Sequence, residues 1–493
     1  MKGKAHDSSI QGFAKQYPGC TLYTRKKSGG TAIAGGSRSA RGILRTLVFI
    51  VLATFLWLQL HVVSLTGRDD SGQSSSNETL FSLVPQELHR FLKEGRNSST
   101  NLVNSSSGAL TELEIAEIRH KIERVNAEQR VYNEEAFGPL ASDAPIIVIQ
   151  VHTRLTYLRH LIVSLAQAKD IEQALLVFSH DVWHLDINYL VQSVDFCRVM
   201  QIFYPHSIQT HPHTFPGEGP NDCPRNIRKE QALNLKCTNA KHPDLYGHYR
   251  EAKFTQTKHH WWWKANRVFD QLSVTRNHTG MVLFLEEDHY VAEDFLHVLR
   301  LMERTCKLSC ERCNVLSLGT YLKTYNYFTD FSRKAEVTPW ISSKHNMGMA
   351  FNRVTWNKLR KCVAQFCSYD DYNWDWSLQY IAQTCVPSSR GAGIAPRAES
   401  GLITMTMRAP RVFHIGECGV HHKKNNCEST AVIAKVKNVL NAARNHLFPS
   451  QLTLTIAGTA KKTKLRKGNG GWGDVRDHQL CWNMTISPDL DLP

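Results

Sequence analysis

The sequence carries little excess charge outside its two ends. The 493 residues have a formal net charge of +15. Residues 1–45 hold nine lysine or arginine side chains and one acid, Asp7, while residues 461–467 hold five basic side chains, which leaves the rest of the chain at +2. A protein that binds a nucleic-acid backbone needs a basic surface on its folded domain. The distribution therefore argues against a nucleic-acid partner.

Internal repeats and a second CxxC pair are also absent from the sequence. The one CxxC pair, Cys310 and Cys313, is left without the further pair that a zinc site at this spacing needs, and without the strand–helix context of a thioredoxin-like motif. Of the 13 cysteines, 12 follow residue 65. That even number predicts disulfide bonds if this part of the chain lies in an oxidising compartment.

Residues 46–65 lack formally charged side chains, although Gln59 and His61 interrupt the apolar run. Twenty helical residues span about 30 Å, the thickness of a bilayer core. The run begins too late for an ordinary signal peptide and lacks a convincing cleavage site, so the remaining alternative is a buried core helix. Basic residues precede it, and Asp69 and Asp70 follow. The positive-inside rule then predicts a cytosolic N-terminus and a lumenal C-terminal bulk.

We therefore predict four parts: a basic cytosolic tail at 1–45, a transmembrane signal-anchor helix at 46–65, a lumenal stem at 66–143 and a folded domain at 144–493. Glycosylation sequons support a lumenal location, because five of them follow the span, at Asn77, Asn97, Asn104, Asn277 and Asn483. Between residues 110 and 130, apolar residues at spacings of three and four predict a helix that docks on the folded domain.

The folded domain is predicted to be α/β. Apolar runs predict strands at 146–151, 175–178, 199–204, 281–285 and 315–318, and helical periodicity lies between them at 157–168 and 257–272. Strands that alternate with helices form parallel βαβ units.

Three acids follow the fourth predicted strand directly: Glu286, Glu287 and Asp288. Because residues two apart on a strand share a face, we expect Glu286 and Asp288 to point together and Glu287 to point away. Acids at the carboxyl edge of a buried sheet suit a divalent cation that holds a diphosphate, as in a sugar-nucleotide transferase. A histidine ligand would favour Mn²⁺; the candidates are His414, His421 and His422. The alternative is a solvated turn with basic partners.

Polar side chains also follow the first two strands, at Gln150, His152 and Arg154 and at Asp181. These ends rim the same crevice in an open α/β sheet, although ordinary loop polar groups remain the alternative. A further set, Gln256 to His260, begins the helix that carries three consecutive tryptophans. Helix N-termini attract anions. His259 and His260 diverge on a helix, so we expect hydrogen-bond donors there rather than metal ligands.

The segment 369–376 (YDDYNWDW) interleaves acids with aromatic side chains. Flat rings pack on sugar faces while carboxylates bind hydroxyls, and one aspartate could serve as the general base for a sugar hydroxyl. A buried tryptophan cluster with surface acids is the equally open alternative.

Eight strings carry a family resemblance: FSHD at 178–181, HYREAKFTQTKHHWWWK at 248–264, LFLEEDHY at 283–290, VLSLGTY at 315–321, HNMG at 345–348, YDDYNWDW at 369–376, VHHKK at 420–424 and NGGWGDVRDH at 469–478. Together and in this order they closely resemble the N-acetylglucosaminyltransferase II family. The resemblance implies a GT-A type glycosyltransferase fold with a Rossmann-like nucleotide-binding half, in a single-pass type II protein of the Golgi membrane. It implies inverting transfer of GlcNAc from UDP-GlcNAc to the α1,6-arm mannose of N-glycans on glycoproteins, with Mn²⁺ as cofactor.

The resemblance also assigns roles to residues. Asp375 corresponds to the catalytic base, Asp288 and His414 to the metal ligands, and Arg225, Asn346 and Trp374 to acceptor contacts. The implied donor contacts are Gln150, Val151, His152, Thr153, Arg154, Asp181, Gln256, Thr257, Lys258, His259 and His260. The implied disulfides pair Cys223 with Cys237, Cys310 with Cys313, Cys362 with Cys385, Cys367 with Cys481, and Cys418 with Cys427, which leaves Cys197 and Cys306 free.

Two rival functions stay open at this point: a sister N-acetylglucosaminyltransferase with a different mannose acceptor, and a non-catalytic glycan-binding membrane protein. The joint presence of Asp288, His414 and Asp375 argues against the second. The sequence does not decide between a monomer and a homodimer.

Overall fold

The computed structural model describes residues 84–93, 110–321, 325–328, 330–387, 400–416, 430–456 and 467–485, all within one compact unit, Ser74–Pro493. The predicted cytosolic tail and membrane span, most of the predicted stem before residue 110, and His421 and His422 lie outside these residues. Within the described ranges, no helix is long and apolar enough to cross a bilayer.

One large mixed sheet of ten strands forms the centre of the described fold. Its spatial order is β1-β4-β3-β2-β5-β9-β7-β10-β8-β12, and β6 and β11 form a separate two-stranded ribbon. The strands are β1 Val131–Tyr132, β2 Ile146–Val151, β3 Leu175–His180, β4 Arg198–Phe203, β5 Val282–Glu286, β6 His289–Val291, β7 Val315–Ser317, β8 Lys334–Pro339, β9 Met349–Phe351, β10 Ile403–Met407, β11 Val412–His414 and β12 Thr453–Ile456.

The half of the sheet formed by β4, β3, β2 and β5 is parallel throughout. Strand β9 runs antiparallel to both β5 and β7, and β10 lies parallel to β7. The carboxyl ends of β2, β3 and β5 consequently meet at one edge of the sheet, which is where open α/β folds bind ligands. The α/β class is therefore confirmed.

Fourteen α-helices connect or flank these strands in the described part of the chain. They are α1 His89–Leu92, α2 Glu112–Glu128, α3 Glu134–Phe137, α4 Leu155–Ala166, α5 Leu185–Gln192, α6 Lys229–Leu235, α7 Ala252–Asn266, α8 Phe295–Ser309, α9 Ser342–His345, α10 Arg353–Arg360, α11 Val363–Ser368, α12 Trp374–Thr384, α13 Thr430–Ala443 and α14 Val475–Asn483. Helix α7 continues as a π-helix over Arg267–Gln271.

Both faces of the sheet are covered, and β2 shows why its sequence is apolar throughout. Ile147 and Ile149 enter one buried cluster with side chains of α4 and α8, whereas Ile146 and Val148 enter the other with the three tryptophans of α7. Successive strand residues point to opposite faces, so a strand buried on both faces needs apolar side chains at every position.

Packed structure begins before the predicted boundary at residue 144. Helix α2 starts with a capping box between Thr111 and Glu114 and buries Ile115 and Ile122. Asn126 then exchanges two hydrogen bonds with the backbone of Phe203 in β4. The predicted helix of the stem therefore docks on the folded domain, and β1 adds a short strand to the same edge.

Four of the five implied disulfides are bonded in the structure: Cys223–Cys237, Cys310–Cys313, Cys362–Cys385 and Cys367–Cys481. The fifth, Cys418–Cys427, lies outside the described residues. Cys197 and Cys306 are buried free thiols. The pairing of Cys310 with Cys313 answers the question left open by the CxxC motif, because both sulfurs are used in the bond.

Candidate active site

The ribbon of β6 and β11 carries the two predicted metal ligands to the same place. Strand β5 ends at Glu286, and a turn through Glu287 and Asp288 leads into β6. In the ribbon, His414 is paired with His289. The N–H of Ile415 donates to the carbonyl of Asp288 over 2.9 Å. Residues that are 126 positions apart in the sequence, Asp288 and His414, therefore become neighbours.

The carboxylate of Asp288 is almost fully buried among polar partners. Its Oδ2 lies 3.2 Å from Nε2 of His414 and accepts from Nη1 of Arg154 over 2.7 Å. Its Oδ1 is buried and has no hydrogen-bond partner among the described residues. A Cβ at Gly416 would lie 2.4 Å from Oδ2, so only glycine allows the chain after His414 to pass this close.

The protonation of Asp288 is controlled by opposing effects. Burial raises the pKa of its carboxyl, but the hydrogen bond from His414 and the positive charge of Arg154 outweigh burial, and the pKa falls well below its usual range. Asp288 is therefore an anion at neutral pH. A buried anion with one unpaired oxygen beside an imidazole fits a divalent cation with mixed oxygen and nitrogen ligands, of which Mn²⁺ is one.

A third side chain, His289, approaches the same point and was not anticipated from the sequence. One ligand atom each of Glu286, Asp288 and His289 lie within 4.8 Å of one another. Nδ1 of His289 accepts from the N–H of Glu286 over 3.1 Å, and burial lowers the pKa of His289 to about 4. The ring is therefore neutral at pH 7, and its Nδ1 is engaged by the N–H of Glu286.

The prediction for Glu287 was wrong in one respect. The strand ends before this residue, so its carboxylate does not point away from the crevice but toward the loop after β2. It accepts from the N–H of His152 over 2.7 Å and from Nε of Arg154 over 2.7 Å. Glu287 thus fixes the loop that presents Arg154 to Asp288.

The predicted donor residues at the ends of β2 and β3 also come together. Oδ1 of Asp181 lies 2.7 Å from Nδ1 of His152, and Oδ2 accepts from Nε2 of Gln256 over 3.0 Å. Burial raises the pKa of Asp181, but the bonds with His152 and His260 outweigh it and the pKa falls. Gln150 accepts from Nζ of Lys264 over 2.5 Å. This edge therefore presents an ionised carboxylate held in place by hydrogen-bond donors.

The remaining donor candidates occupy different positions. Val151 is buried at the end of β2, Thr153 is exposed in the following loop, and Thr257 is partly buried on α7. His260 lies beneath the donor edge, with Nε2 2.8 Å from Oγ of Ser179. His259 and His260 diverge as expected.

For Lys258 and His259 the structure requires a correction. Both side chains are completely buried and have partners away from the donor edge. Nε2 of His259 lies 2.9 Å from Asp477, and Nζ of Lys258 donates to backbone carbonyls near the YDDYNWDW segment. Their place in a string of family residues reflects packing between α7 and the C-terminal segment.

Asp375 lies in the first turn of α12. Its Oδ2 accepts from Nδ2 of Asn346 over 3.1 Å, and its Oδ1 accepts from the N–H of Trp376 over 2.9 Å. Burial and the negative charges of Asp371 and Glu286 raise its pKa to about 7, although the bond from Trp376 acts in the opposite direction. A carboxylate with this pKa accepts a proton more readily than an ordinary aspartate does.

Tyr321 connects the two groups of acids, and sequence reasoning missed it. Partial burial is the main cause that raises the pKa of its phenol, although 52% of the residue stays exposed, and the charges of Glu286, Asp375 and Asp288 add to it. Tyr321 is also hydrogen-bonded to Asn346. The base candidate Asp375 and the predicted metal ligand Asp288 therefore both lie near Tyr321. Its signals in the sequence were its position after the strand β7 and its place at the end of the string VLSLGTY.

The other two acceptor candidates lie apart. Trp374 is buried and stacks parallel on Trp261 with ring centroids 4.4 Å apart, so it belongs to the core and its assignment as an acceptor contact is corrected. Arg225 is half-exposed and forms an ion pair with Glu251 at 3.1 Å. It borders a cavity of about 100 Å³ that Phe254, Tyr372 and Asn469 also line.

Comparisons with known proteins agree with this geometry. A family model described as "N-acetylglucosaminyltransferase II (MGAT2)" matches residues 119–481. The chain belongs to this family. The curated α-1,6-mannosyl-glycoprotein 2-β-N-acetylglucosaminyltransferase of Sus scrofa is 45% identical over 74% of this chain and 78% of its own length. The protein of that name from Arabidopsis thaliana is 32% identical over 71% and 76%.

Similarity to solved structures is weak by comparison. The structure titled "Crystal structure of S. aureus TarS 1-349" aligns with 60% of this chain and 65% of its own chain, at 8% sequence identity and a TM-score of 0.27. Family membership therefore rests on the sequence matches, and with it the assignment of the chain as a glycosyltransferase.

Proposed function

We propose that this protein transfers GlcNAc from UDP-GlcNAc to O2 of the α1,6-arm mannose of N-glycans and inverts the donor linkage to β. The observation that carries the proposal is the family match over residues 119–481, in a chain where Asp288 lies against His414 and Asp375 is bound by Asn346. Inversion in one displacement needs a proton acceptor and a group that stabilises the leaving nucleotide. The names of the curated relatives support the acceptor mannose.

The donor edge suits a uridine nucleotide. The ionised carboxylate of Asp181 can accept from a uracil N–H or a ribose hydroxyl, and His152 and Gln256 hold that carboxylate in place. Arg154 lies between Glu287 and Asp288, where its guanidinium faces the position expected for phosphate. Asp288 and His414 would hold Mn²⁺, which when bound stabilises the negative charge of the departing diphosphate.

On the acceptor side, Asp375 takes the proton from the mannose hydroxyl as the new bond forms. The N–H of Trp376 and the side chain of Asn346 bind its two oxygens and so fix the direction of the carboxylate. The domain that carries these groups is proposed to be a GT-A fold, with the nucleotide at the parallel half of the sheet.

The pH dependence of turnover follows from the pKa of Asp375. With saturating donor, acceptor and Mn²⁺, kcat is expected to fall about tenfold per pH unit below pH 7, because only the ionised carboxylate accepts a proton. Calorimetric UDP-GlcNAc affinity, measured across the same pH range, controls for titration of His414. A flat kcat profile between pH 5.5 and 7 with unchanged donor affinity would contradict the assignment of the base.

An acceptor panel tests the substrate. N-glycans with and without GlcNAc on the α1,3 arm are offered to the full-length protein, and the product linkage is determined by mass spectrometry and NMR. We expect β1,2 transfer to the α1,6-arm mannose only when the α1,3 arm carries GlcNAc. Transfer to another mannose would identify a sister transferase, and absence of UDP release with every acceptor would indicate a non-catalytic glycan-binding protein.

The cavity beside Arg225 is proposed to hold the GlcNAc of the α1,3 arm, since it combines an aromatic wall with polar side chains. Arg225→Ala should then raise KM for the acceptor about tenfold without changing KM for UDP-GlcNAc. Arg228→Ala is the matched control, an arginine at the start of α6 that does not line the cavity.

The cellular location is proposed from the substrate and from the disulfide bonds. N-glycans of glycoproteins are modified in the Golgi lumen, where disulfides such as the four described here persist. Together with the predicted span at 46–65, this gives a type II membrane protein. Protease protection of the C-terminal bulk in intact Golgi vesicles tests the orientation.

A further inference from the structure

A buried lysine lies beneath the segment that leads to Asp375. Nζ of Lys258, on α7, donates to the carbonyl of Tyr369 over 3.0 Å and to the carbonyl of Asp371 over 3.1 Å. The ammonium also lies 4.1 Å from the ring centroid of Trp472 and 5.2 Å from that of Phe366. The side chain is fully buried, so these contacts leave it no route to the donor.

The two carbonyls belong to the turn at residues 369–371. Hydrogen bonds connect this turn to the start of α12, the helix that carries Asp375. Oδ1 of Asp371 accepts from the N–H of Asn373 over 2.9 Å and from Nδ2 of the same residue over 3.0 Å. Asn373 is the N-cap residue of α12, and Asp375 is the second residue of that helix. Ser377, one turn further, donates to the carbonyl of Asn373 over 3.1 Å. Lys258 therefore fixes the turn from which α12 starts.

The same helix contacts the donor edge two residues earlier, at Gln256. Nε2 of Gln256 donates to Asp181 over 3.0 Å. Helix α7 thus holds a donor-side carboxylate through Gln256 and the acceptor-side turn through Lys258. A rigid helix that spans both contacts sets the separation between donor and base, and misplacement by about 1 Å can cost about 10²-fold in rate.

We propose that Lys258 is a positioning residue of the transfer reaction, which anchors the 369–371 turn to α7 and so sets the place of Asp375. The proposal rests on the function proposed above and replaces the role of donor contact that the family resemblance implied for Lys258. It acts through the backbone of the turn and not through the sugar nucleotide.

Lys258→Met in the full-length protein tests the proposal. Methionine keeps the unbranched stem between the two rings and removes the donors. Burial already lowers the pKa of Lys258 to about 7, against the opposing charges of Asp371, Asp370 and Asp477, so loss of the charge itself is a moderate change. We expect kcat to fall at least about tenfold, while calorimetric affinity for UDP-GlcNAc with Mn²⁺ stays within about twofold.

A double-mutant comparison separates positioning from general damage. In the background of Asp375→Asn, Lys258→Met should cause no further loss of residual transfer, because a residue that acts only through the base has nothing left to position. Three outcomes would each overturn the proposal. The losses of the two variants could be additive, or Lys258→Met alone could leave kcat unchanged. The third is a loss of donor affinity in Lys258→Met that equals its loss of kcat. Failure of Asp375→Asn itself to lower turnover would instead refute the proposed function.

Two further variants guard against misfolding. Asn373→Ala removes the hydrogen bond from Nδ2 of Asn373 to Asp371, at a less buried position than Lys258. It should lower kcat by a smaller factor and leave donor affinity unchanged. An unchanged kcat in this variant would also count against the proposal. Trp262→Phe is the matched control on α7, because it removes a partly buried hydrogen bond, from Nε1 to Oγ1 of Thr485, that does not lead to α12. It should lower the melting temperature but keep kcat; a tenfold loss of kcat in this control would show that any damage to α7 suffices.

Discussion

Asp375→Asn is expected to lose most of its turnover while it binds UDP-GlcNAc as the unchanged protein does. Asparagine keeps the shape of the side chain and can still accept from the N–H of Trp376, but it cannot take a proton from the acceptor hydroxyl. General base catalysis contributes about 10²–10⁴-fold. We expect kcat to fall within that range, and we expect the donor dissociation constant to change by less than about twofold.

Single-turnover transfer measured by mass spectrometry gives the rate of the chemical step, and calorimetry with Mn²⁺ gives donor affinity. Asp370→Asn is the matched control, because Asp370 lies in the same segment but its carboxylate accepts from the N–H groups of Leu245 and Trp472. That variant should lose thermal stability, and because Asp370 only helps to hold the turn before α12, its turnover per folded molecule should fall far less than that of Asp375→Asn. Near-normal turnover of Asp375→Asn would remove Asp375 from the reaction.

Burial is the main cause that raises the pKa of Asp375, the proposed base, and this could not be derived from the sequence. The segment YDDYNWDW offers three aspartates, all of the same residue type. In the structure Asp370 and Asp371 bind backbone N–H groups of other segments, whereas Asp375 faces Asn346. The sequence identified the segment, and family resemblance selected the residue. The difference between Asp375 and the other two aspartates depends on contacts with residues 244–248 and 467–472, which are distant in the chain.

The parallel half of the sheet could be predicted because its strands are buried on both faces. Runs such as 146–151 are apolar at every position, and the first predicted strand coincides with β2. The second half could not be predicted in the same way. Strands β8 and β12 contain partly buried or exposed residues, and the three-residue strands β6, β9 and β11 are too short to show a period.

The two-stranded ribbon of β6 and β11 is one element that could not be predicted, and it determines part of the candidate site. The two predicted metal ligands, Asp288 and His414, lie next to each other, but no pattern near His414 predicts that it pairs with His289. The position of Gly416 against Asp288 is likewise a tertiary feature. By contrast, the divergence of His259 and His260 follows from helix geometry alone, and the structure agrees.

The second large effect is expected for Asp288→Asn, which should lose Mn²⁺-dependent donor binding. Arg154 and His414 both lie against Oδ2 of Asp288, and Oδ1 has no bonded partner in the part of the chain that the structure describes. Asparagine fits the same space beside Gly416 but offers a neutral oxygen, which is a far weaker ligand for a hard cation. We expect affinity for UDP in Mn²⁺ to fall at least about 100-fold, since changes outside the ligand shell alone cost 10–100-fold.

Titration of UDP with and without Mn²⁺ measures this effect, and electron paramagnetic resonance of free Mn²⁺ reports metal binding independently of catalysis. Glu287→Gln is the matched control: the acid is adjacent, but its carboxylate holds His152 and Arg154 and not the predicted ion. It should weaken donor binding through Arg154 and yet keep the requirement for Mn²⁺. If Asp288→Asn binds UDP with unchanged Mn²⁺ dependence, the carboxylate serves only as the counter-charge of Arg154. The neighbouring Glu286 would then be the acid to test as the ligand.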